Sequence, residues 1–380
     1  MPTDDIKLPS ICGFCKVDNA FDWYNTGRPQ ILAMLAENEY GFIPPRPETM
    51  KIELWRERHG LAEGTAYRRE YKVTLENAGR QHSFDVLVYS PEKREKPLLA
   101  AVAALNFQGN AGAAEEDDVL PLDAPHHTQP GRWPIRKLME EGILLATAAR
   151  NDFYYDDVTP EAREKSVFRL FGDVDGHDRH YTALSAWAFG YRALCDFLLT
   201  LPDVDPKRIW FHGHSRLGKT ALWAAANDPR VAGVVSNDSG CGGAAISRDK
   251  EGETLKAIID KFPHWFVPEF DQYKDNENAL PWDQHFLVAL SAPRPVLVAS
   301  ASEDLWACPP NEFIAAKAAG EVYKLFGVGG LGDDAEFPAP EAPILRKGVG
   351  YYLRTGKHDV TPYDWEQVAA FIRLNTPPEH

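Results

Sequence analysis

Ile209-Trp210-Phe211-His212-Gly213-His214-Ser215-Arg216-Leu217-Gly218-Lys219-Thr220-Ala221-Leu222-Trp223-Ala224-Ala225-Ala226 decides the fold. A short apolar run leads into a glycine turn with a serine at its apex, and an alanine-rich segment of high helical propensity follows. Strand, sharp turn and helix in that order make a nucleophile elbow. The turn exposes the serine oxygen at a helix N-terminus, where backbone N–H groups can stabilise an oxyanion. The usual elbow is G-x-S-x-G. Here Leu217 stands two residues after Ser215, and the glycine comes one later, at Gly218. The same residues also read as G-x-x-x-x-G-K-T, the spacing of a phosphate loop. Against that rival, the strand lies in mid-chain behind several earlier strands, and the residues between the glycines are bulky. No second acidic strand motif that would hold magnesium stands out.

Working outward, Pro97–Leu105, Gly142–Ala148, Ile209–His212, Val231–Ser236, Pro295–Ala301 and Val322–Phe326 are short apolar runs. Such runs suit strands buried on both faces. Helical spacing lies between several of them: His180–Leu199, the alanine-rich Thr220–Asn227, and Glu366–Arg373 closing the chain. The alternation predicts an α/β-hydrolase fold, a three-layer sandwich around a mostly parallel central sheet. In such sheets the reactive groups sit in loops beyond the carboxyl ends of the strands. Tyr67–Leu75 and His82–Tyr89 read as two half-exposed antiparallel strands. Residues 240–285, rich in glycine, charged and aromatic residues, read as an insertion after the strand carrying Asp238. Residues 1–60 are expected to form an irregular arm packed on one catalytic domain, 61–380, with a helix around Arg28–Asn38 that ends before Pro44-Pro45.

Composition narrows the function. A net charge of −15 over 380 residues argues against nucleic-acid binding, which needs a basic footprint. It leaves an anionic substrate open, because bulk acidity says little about one pocket. Five cysteines are an odd, sparse set, and Cys12 and Cys15 form a lone C-x-x-C without a second pair, so neither a disulfide framework nor a zinc site is expected. No apolar run reaches the roughly 18 residues that span a bilayer. The start, MPTDDIKLPS, shows neither a basic n-region nor an apolar h-region.

An α/β-hydrolase orders its triad as serine, acid, histidine along the chain. Of the twelve histidines, His358 in Arg354-Thr355-Gly356-Lys357-His358-Asp359 precedes the final helix, where the base loop belongs. His285 reads as structural support, and His126, His127 and His380 have no supporting context. Two acids follow predicted strands: Asp238, after Val231–Ser236, and Asp304, after Pro295–Ala301.

Together, G-H-S-R-L-G-K, S-N-D-S-G-C-G-G-A-A-I-S-R, L-P-W-D-Q-H, A-P-R-P-V-L-V-A-S-A-S-E-D-L-W-A and R-T-G-K-H-D resemble the glucuronoyl esterases of carbohydrate esterase family fifteen, over about residues 20–375. That family places its glycine three residues after the serine. The resemblance implies serine-dependent cleavage of the ester between (4-O-methyl-)glucuronic acid of glucuronoxylan and lignin alcohols, without metal or other cofactor. It puts the usual acid at Asp238 and, in some bacterial members, at Asp304; Asp304, or shared duty, is favoured here because aspartate at 238 is short. It gives Arg216 to the oxyanion and Lys219, Glu253 and Trp306 to the sugar. Gln284, His264 and Trp265 are weaker candidates beside the insertion. Asn106-Phe107-Gln108-Gly109-Asn110 is a possible second oxyanion loop. A salt bridge is the plain alternative for Arg216. The resemblance also implies an exported, secreted or periplasmic protein; with no signal visible, a cytoplasmic one stays open. A monomer with no membrane partner is expected. An acetyl-xylan or general carboxylesterase is the rival activity, and a uronate-binding pseudoenzyme the non-catalytic one.

Overall fold

The computed structural model describes residues 6–94, 96–120, 131–172, 180–249 and 251–376. His126, His127 and His380 lie outside the described residues, as do the first five residues of the chain. Among the described residues, ten strands form one sheet in the order β1-β2-β3-β5-β4-β6-β7-β8-β10-β9. They are β1 (Thr49–Gly60), β2 (Ala66–Asn77), β3 (Arg80–Pro91), β4 (Leu99–Asn106), β5 (Ile143–Ala149), β6 (Val204–His214), β7 (Gly233–Asn237), β8 (Val296–Ala301), β9 (Ile344–Leu345) and β10 (Val349–Arg354). From β5 to β10 the neighbours run parallel, while β1, β2 and β3 pair antiparallel at one edge and β9 pairs antiparallel with β10 at the other.

Alternation along the central strands separates two cores. Ala101, Ala103 and Leu105 of β4 enter one cluster, and Ala100, Val102 and Ala104 the other. The first cluster takes up α1 (Arg28–Leu35), α3 (Ala183–Leu198), α4 (Arg216–Asn227), α5 (Leu255–Lys261) and α6 (Pro309–Ala318). The second takes up α2 (Ile135–Glu140) and α8 (Pro362–Asn375). This is the three-layer arrangement that continuous apolar strands require, since both faces need cover.

Two readings of the sequence are corrected. Val322–Phe326 is not a strand: Val322 and Tyr323 lie in the helix α7 (Gly320–Lys324), and Leu325-Phe326 follow it as a turn. A five-residue apolar run does not by itself distinguish a buried helical turn from a strand. The strand at that end of the sheet is β10, whose Gly350 weakened the pattern. A Cβ at Gly350 would come within 2.7 Å of the Phe371 ring and 2.8 Å of Leu297, so the glycine lets α8 and β8 close on the strand. Thr49–Gly60, taken as irregular, is β1. It is an edge strand with no fully buried position, and charged residues there hide the two-residue period.

Candidate active site

Ser215 follows β6 and caps α4 with φ 58° and ψ −128°. Such a backbone is strained for any residue with a Cβ and persists only where its surroundings fix it. Here its N–H donates to the Asn237 carbonyl at 2.9 Å, and its own carbonyl accepts from the N–H groups of Gly218 at 2.8 Å and Lys219 at 3.2 Å. The two glycines permit the turn. A Cβ at Gly213 would lie 1.9 Å from the Leu217 carbonyl oxygen, and one at Gly218 would lie 2.9 Å from Ser239 Cβ. Gly218 stands three residues after the serine because that is where α4 crosses the end of β7.

The candidate acid and base follow neighbouring strands. Asp304 follows β8 and His358 follows β10, and these two strands pair directly. His358 Nδ1 donates to Asp304 Oδ2 at 2.6 Å. Asp304 is buried, its N–H donates to the Ala301 carbonyl and its Oδ1 accepts from Ala307 N–H at 3.3 Å. Arg132 Nη1 pairs with Asp359 Oδ1 at 2.6 Å and ties the loop after β10 to the segment before α2. Asp238, one strand further away, has a positive φ of 44° and is 1% exposed. Neither of its carboxyl oxygens has a hydrogen-bond partner among the described residues; Arg354 Nη2 lies 3.5 Å away. Burial, then the negative charges of Glu312 and Asp304, push its carboxyl well above the usual carboxylate range, against the pull of Arg354. Atoms of Asp238, Asp304 and His358 lie within 4.8 Å of one another, the spacing a cation would need. The direct His358–Asp304 bond and the guanidinium of Arg354 already satisfy much of that group.

Ser215 and His358 line a cavity of about 270 Å³ together with Asn106, Phe107, Arg132 and Trp133. Gln108, Gly109, His214 and Arg216 also line it, so the loop after β4 reaches the cavity that Ser215 opens on. Arg216 forms an ion pair with Asp156 and stacks over Trp265, its Cζ 4.7 Å from the ring centre. Its Nε is buried without a hydrogen-bond partner among the described residues. The plain salt bridge is thus found, on a side chain that also lines the cavity beside Ser215.

Asp156 organises this corner and was missed in the sequence. It accepts from His264 Nε2 at 2.8 Å and Trp265 Nε1 at 2.7 Å and pairs with Arg150 at 2.9 Å. Burial opposes its ionisation, but these hydrogen bonds and the two guanidinium groups prevail and hold the carboxyl well below its usual range. The signal available was its place in an acidic loop beyond the end of β5.

The residues expected at the sugar divide. Trp306 is 55% exposed and donates from Nε1 to Glu253 Oε1 at 3.0 Å, while Glu253 N–H donates to the Trp306 carbonyl at 2.9 Å. Those two are brought together at the surface beyond β8. Lys219 is buried, and its ammonium donates to the Ser239 carbonyl; it is not part of the cavity lining. Gln284 is a correction. It is 1% exposed, its Oε1 accepts from Tyr40 Oη at 2.8 Å and its Nε2 donates to Glu39 Oε1 at 2.7 Å. Both ends of its amide are used inside the protein, joining the N-terminal segment to the insertion. Among the described residues, no helix is long and apolar enough to cross a membrane.

A family model described as glucuronyl esterase, fungi, matches residues 127–327. A carbohydrate esterase of an unknown prokaryotic organism is 36% identical over 94% of this chain and 86% of its own length. The 4-O-methyl-glucuronoyl methylesterase 1 of Wolfiporia cocos is 34% identical over 82% of this chain and 69% of its own. Among solved structures, a glucuronoyl esterase from Solibacter usitatus superposes with a TM-score of 0.87 at 33% identity, covering 97% of this chain and 98% of that one. A promiscuous CE15 esterase from a marine bacterial metagenome gives 0.86 at 33% identity, covering 98% of each chain. The α/β sheet agrees with these likenesses, and the chain belongs to the glucuronoyl esterases, a family of carboxylic ester hydrolases.

Proposed function

We propose that this chain hydrolyses esters of (4-O-methyl-)glucuronic acid, such as those joining glucuronoxylan to lignin alcohols, by a two-step serine mechanism. His358 takes the proton of Ser215 as the hydroxyl oxygen attacks the uronate carbonyl. The tetrahedral intermediate collapses, the C–O bond to the alcohol breaks, and the alcohol leaves with the proton from His358. Water, deprotonated by His358, then attacks the acyl-enzyme and releases the uronic acid and Ser215. Asp304 holds His358 with Nδ1 protonated, which leaves Nε2 to act as the base, and it stabilises the imidazolium. Arg216 and the N–H groups at the start of α4 stabilise the oxyanion. Trp306 and Glu253 supply an apolar face and an acceptor suited to a sugar ring.

The observation that carries the reading is the 2.6 Å His358–Asp304 bond at a cavity shared with Ser215 in its strained elbow. The test is hydrolysis of benzyl glucuronate by wild type and Ser215→Ala. Rapid turnover lost in the variant is expected; equal rates would overturn the nucleophile. Faster turnover of acetyl esters than of the uronate ester would move the substrate to acetylated xylan.

A further inference from the structure

His214 is the last residue of β6 and stands on the same face of the sheet as Trp210 and His212. The β6–β7 register puts it directly beside Asn237. Its Nδ1 lies 2.6 Å from Asn237 Oδ1. The amide's orientation follows from its other end. Asn237 Nδ2 donates to Asp364 Oδ1 at 3.2 Å, and Asp364 also accepts from Tyr352 Oη, Arg354 Nε and Thr361. A carboxylate so surrounded accepts only. The amide NH2 therefore faces Asp364, the amide oxygen faces His214, and His214 Nδ1 carries the proton.

The His214 ring also meets the base. Its centre is 4.4 Å from that of His358 with a 45° tilt, and Phe107 abuts it edge-on at 6.2 Å. Asp364 closes the circuit, because it caps α8 through Thr361, three residues after His358. One carboxylate thus fixes both the end of the base loop and, through Asn237, the ring beneath the base. Other charged or titratable groups facing His214 are Asp238, whose Oδ2 lies 4.0 Å from Nδ1, Arg132 and His212. Burial, then the proximity of His358 and Arg132, pushes His214 well below the usual histidine range. It stays neutral beside a base that must become an imidazolium.

We infer that His214 is a positioning residue: its ring is the surface against which the His358 imidazole, itself 44% exposed, is kept aimed at Ser215, and the Asn237–Asp364 relay locks that ring in place. This rests on the reading of Ser215 and His358 as nucleophile and base, and does not depend on which ester is cleaved. Two substitutions separate the ring from its hydrogen bond. His214→Phe keeps a flat ring and loses the N–H; His214→Asn keeps an N–H donor and loses the ring.

The experiment is the rate at which a fluorophosphonate labels Ser215 in wild type and both variants, with kcat and KM for benzyl glucuronate and a melting curve for each. His214→Asn is expected to slow labelling and lower kcat by on the order of tenfold or more at little changed KM, the effect of a misaimed base. His214→Phe should recover most of that loss. His214→Asn labelled as fast as wild type would overturn the inference, as would a folded His214→Phe no faster than His214→Asn. A wild type unlabelled at Ser215 overturns the nucleophile reading and this inference with it. Labelling that splits the variants while uronate esters go uncleaved upholds this inference and overturns the substrate.

Discussion

Replacing Asp304 by asparagine keeps the side chain's shape and removes its charge, so the cost can be worked from the geometry. With His358 Nδ1 and Asp304 Oδ2 2.6 Å apart, the charge centres of the imidazolium and carboxylate lie about 4 Å apart. At an effective dielectric near 20 that is worth about 4 kcal/mol. His358 is 44% exposed, and solvent screening cuts this to about 2 kcal/mol, or roughly 30-fold in rate. That is the floor. An amide at 304 can also turn its NH2 towards the ring and favour the wrong tautomer, a loss that reaches about 10⁴-fold in triad proteases. Asp304→Asn is therefore expected to lower kcat between these limits with KM little changed.

Asp238 sharpens the test. In the wild type its carboxyl is pushed well above the usual range by burial and by the charges of Glu312 and Asp304, so it supplies little negative charge to His358. Asp238→Asn alone should then cost much less than Asp304→Asn. Once Asp304 is neutral, one of the charges raising Asp238 is gone and its carboxyl titrates at lower pH. The rate of Asp304→Asn should accordingly climb with rising pH as Asp238 ionises, and Asp238→Asn added to it should abolish the climb. The assay is initial rates on benzyl glucuronate for the two single variants and the double, normalised by fluorophosphonate titration of Ser215. Asp238→Asn as damaging as Asp304→Asn, or Asp304→Asn as fast as wild type, would refute the reasoning.

Two further outcomes follow from the fold. Gly213→Ala puts a Cβ 1.9 Å from a backbone oxygen and should cost more than about 3 kcal/mol, beyond the ordinary range for overpacking; soluble Gly213→Ala labelled at Ser215 at the wild-type rate would contradict this. Glu39 is fully buried, and burial raises its carboxyl to about 7 from a reference value of 4.5. Between those two pH values the unfolded chain has released a proton that the folded chain retains, so stability falls as pH rises, by up to roughly 3 kcal/mol. Glu39→Gln should flatten that slope in denaturant midpoints measured across the interval, and parallel curves for variant and wild type would show the assignment to be wrong.

What was legible in the sequence is what chain-local chemistry decides. The elbow's strand, turn and helix could be read because the glycines that permit the turn stand beside the serine, and the place of the His358 loop could be read because triad order follows the chain. The surroundings of Lys219 and Gln284 were not legible, for the opposite reason. Spacing puts Lys219 one helical turn from Ser215, but it does not say that its ammonium meets the Ser239 carbonyl. Nothing near Gln284 announces that Glu39 and Tyr40, some 245 residues earlier, occupy both ends of its amide. Asp156 and His214 were passed over likewise, because their partners are set by loops and register.

The choice between the two acids shows where the limit lies. Asp238 and Asp304 each follow a parallel strand at its carboxyl end, and on local grounds either can serve. Strand order separates them. The sheet runs β7-β8-β10, so the loop carrying His358 emerges beside the loop carrying Asp304, and the Asp238 loop is one strand spacing, about 4.8 Å, further away. That extra strand would demand a longer side chain to reach the imidazole, and aspartate at 238 does not supply it. A glutamate at 238, one methylene longer, would have the reach that aspartate lacks, so the position of the acid and its length have to be read as one variable, fixed by the order of strands.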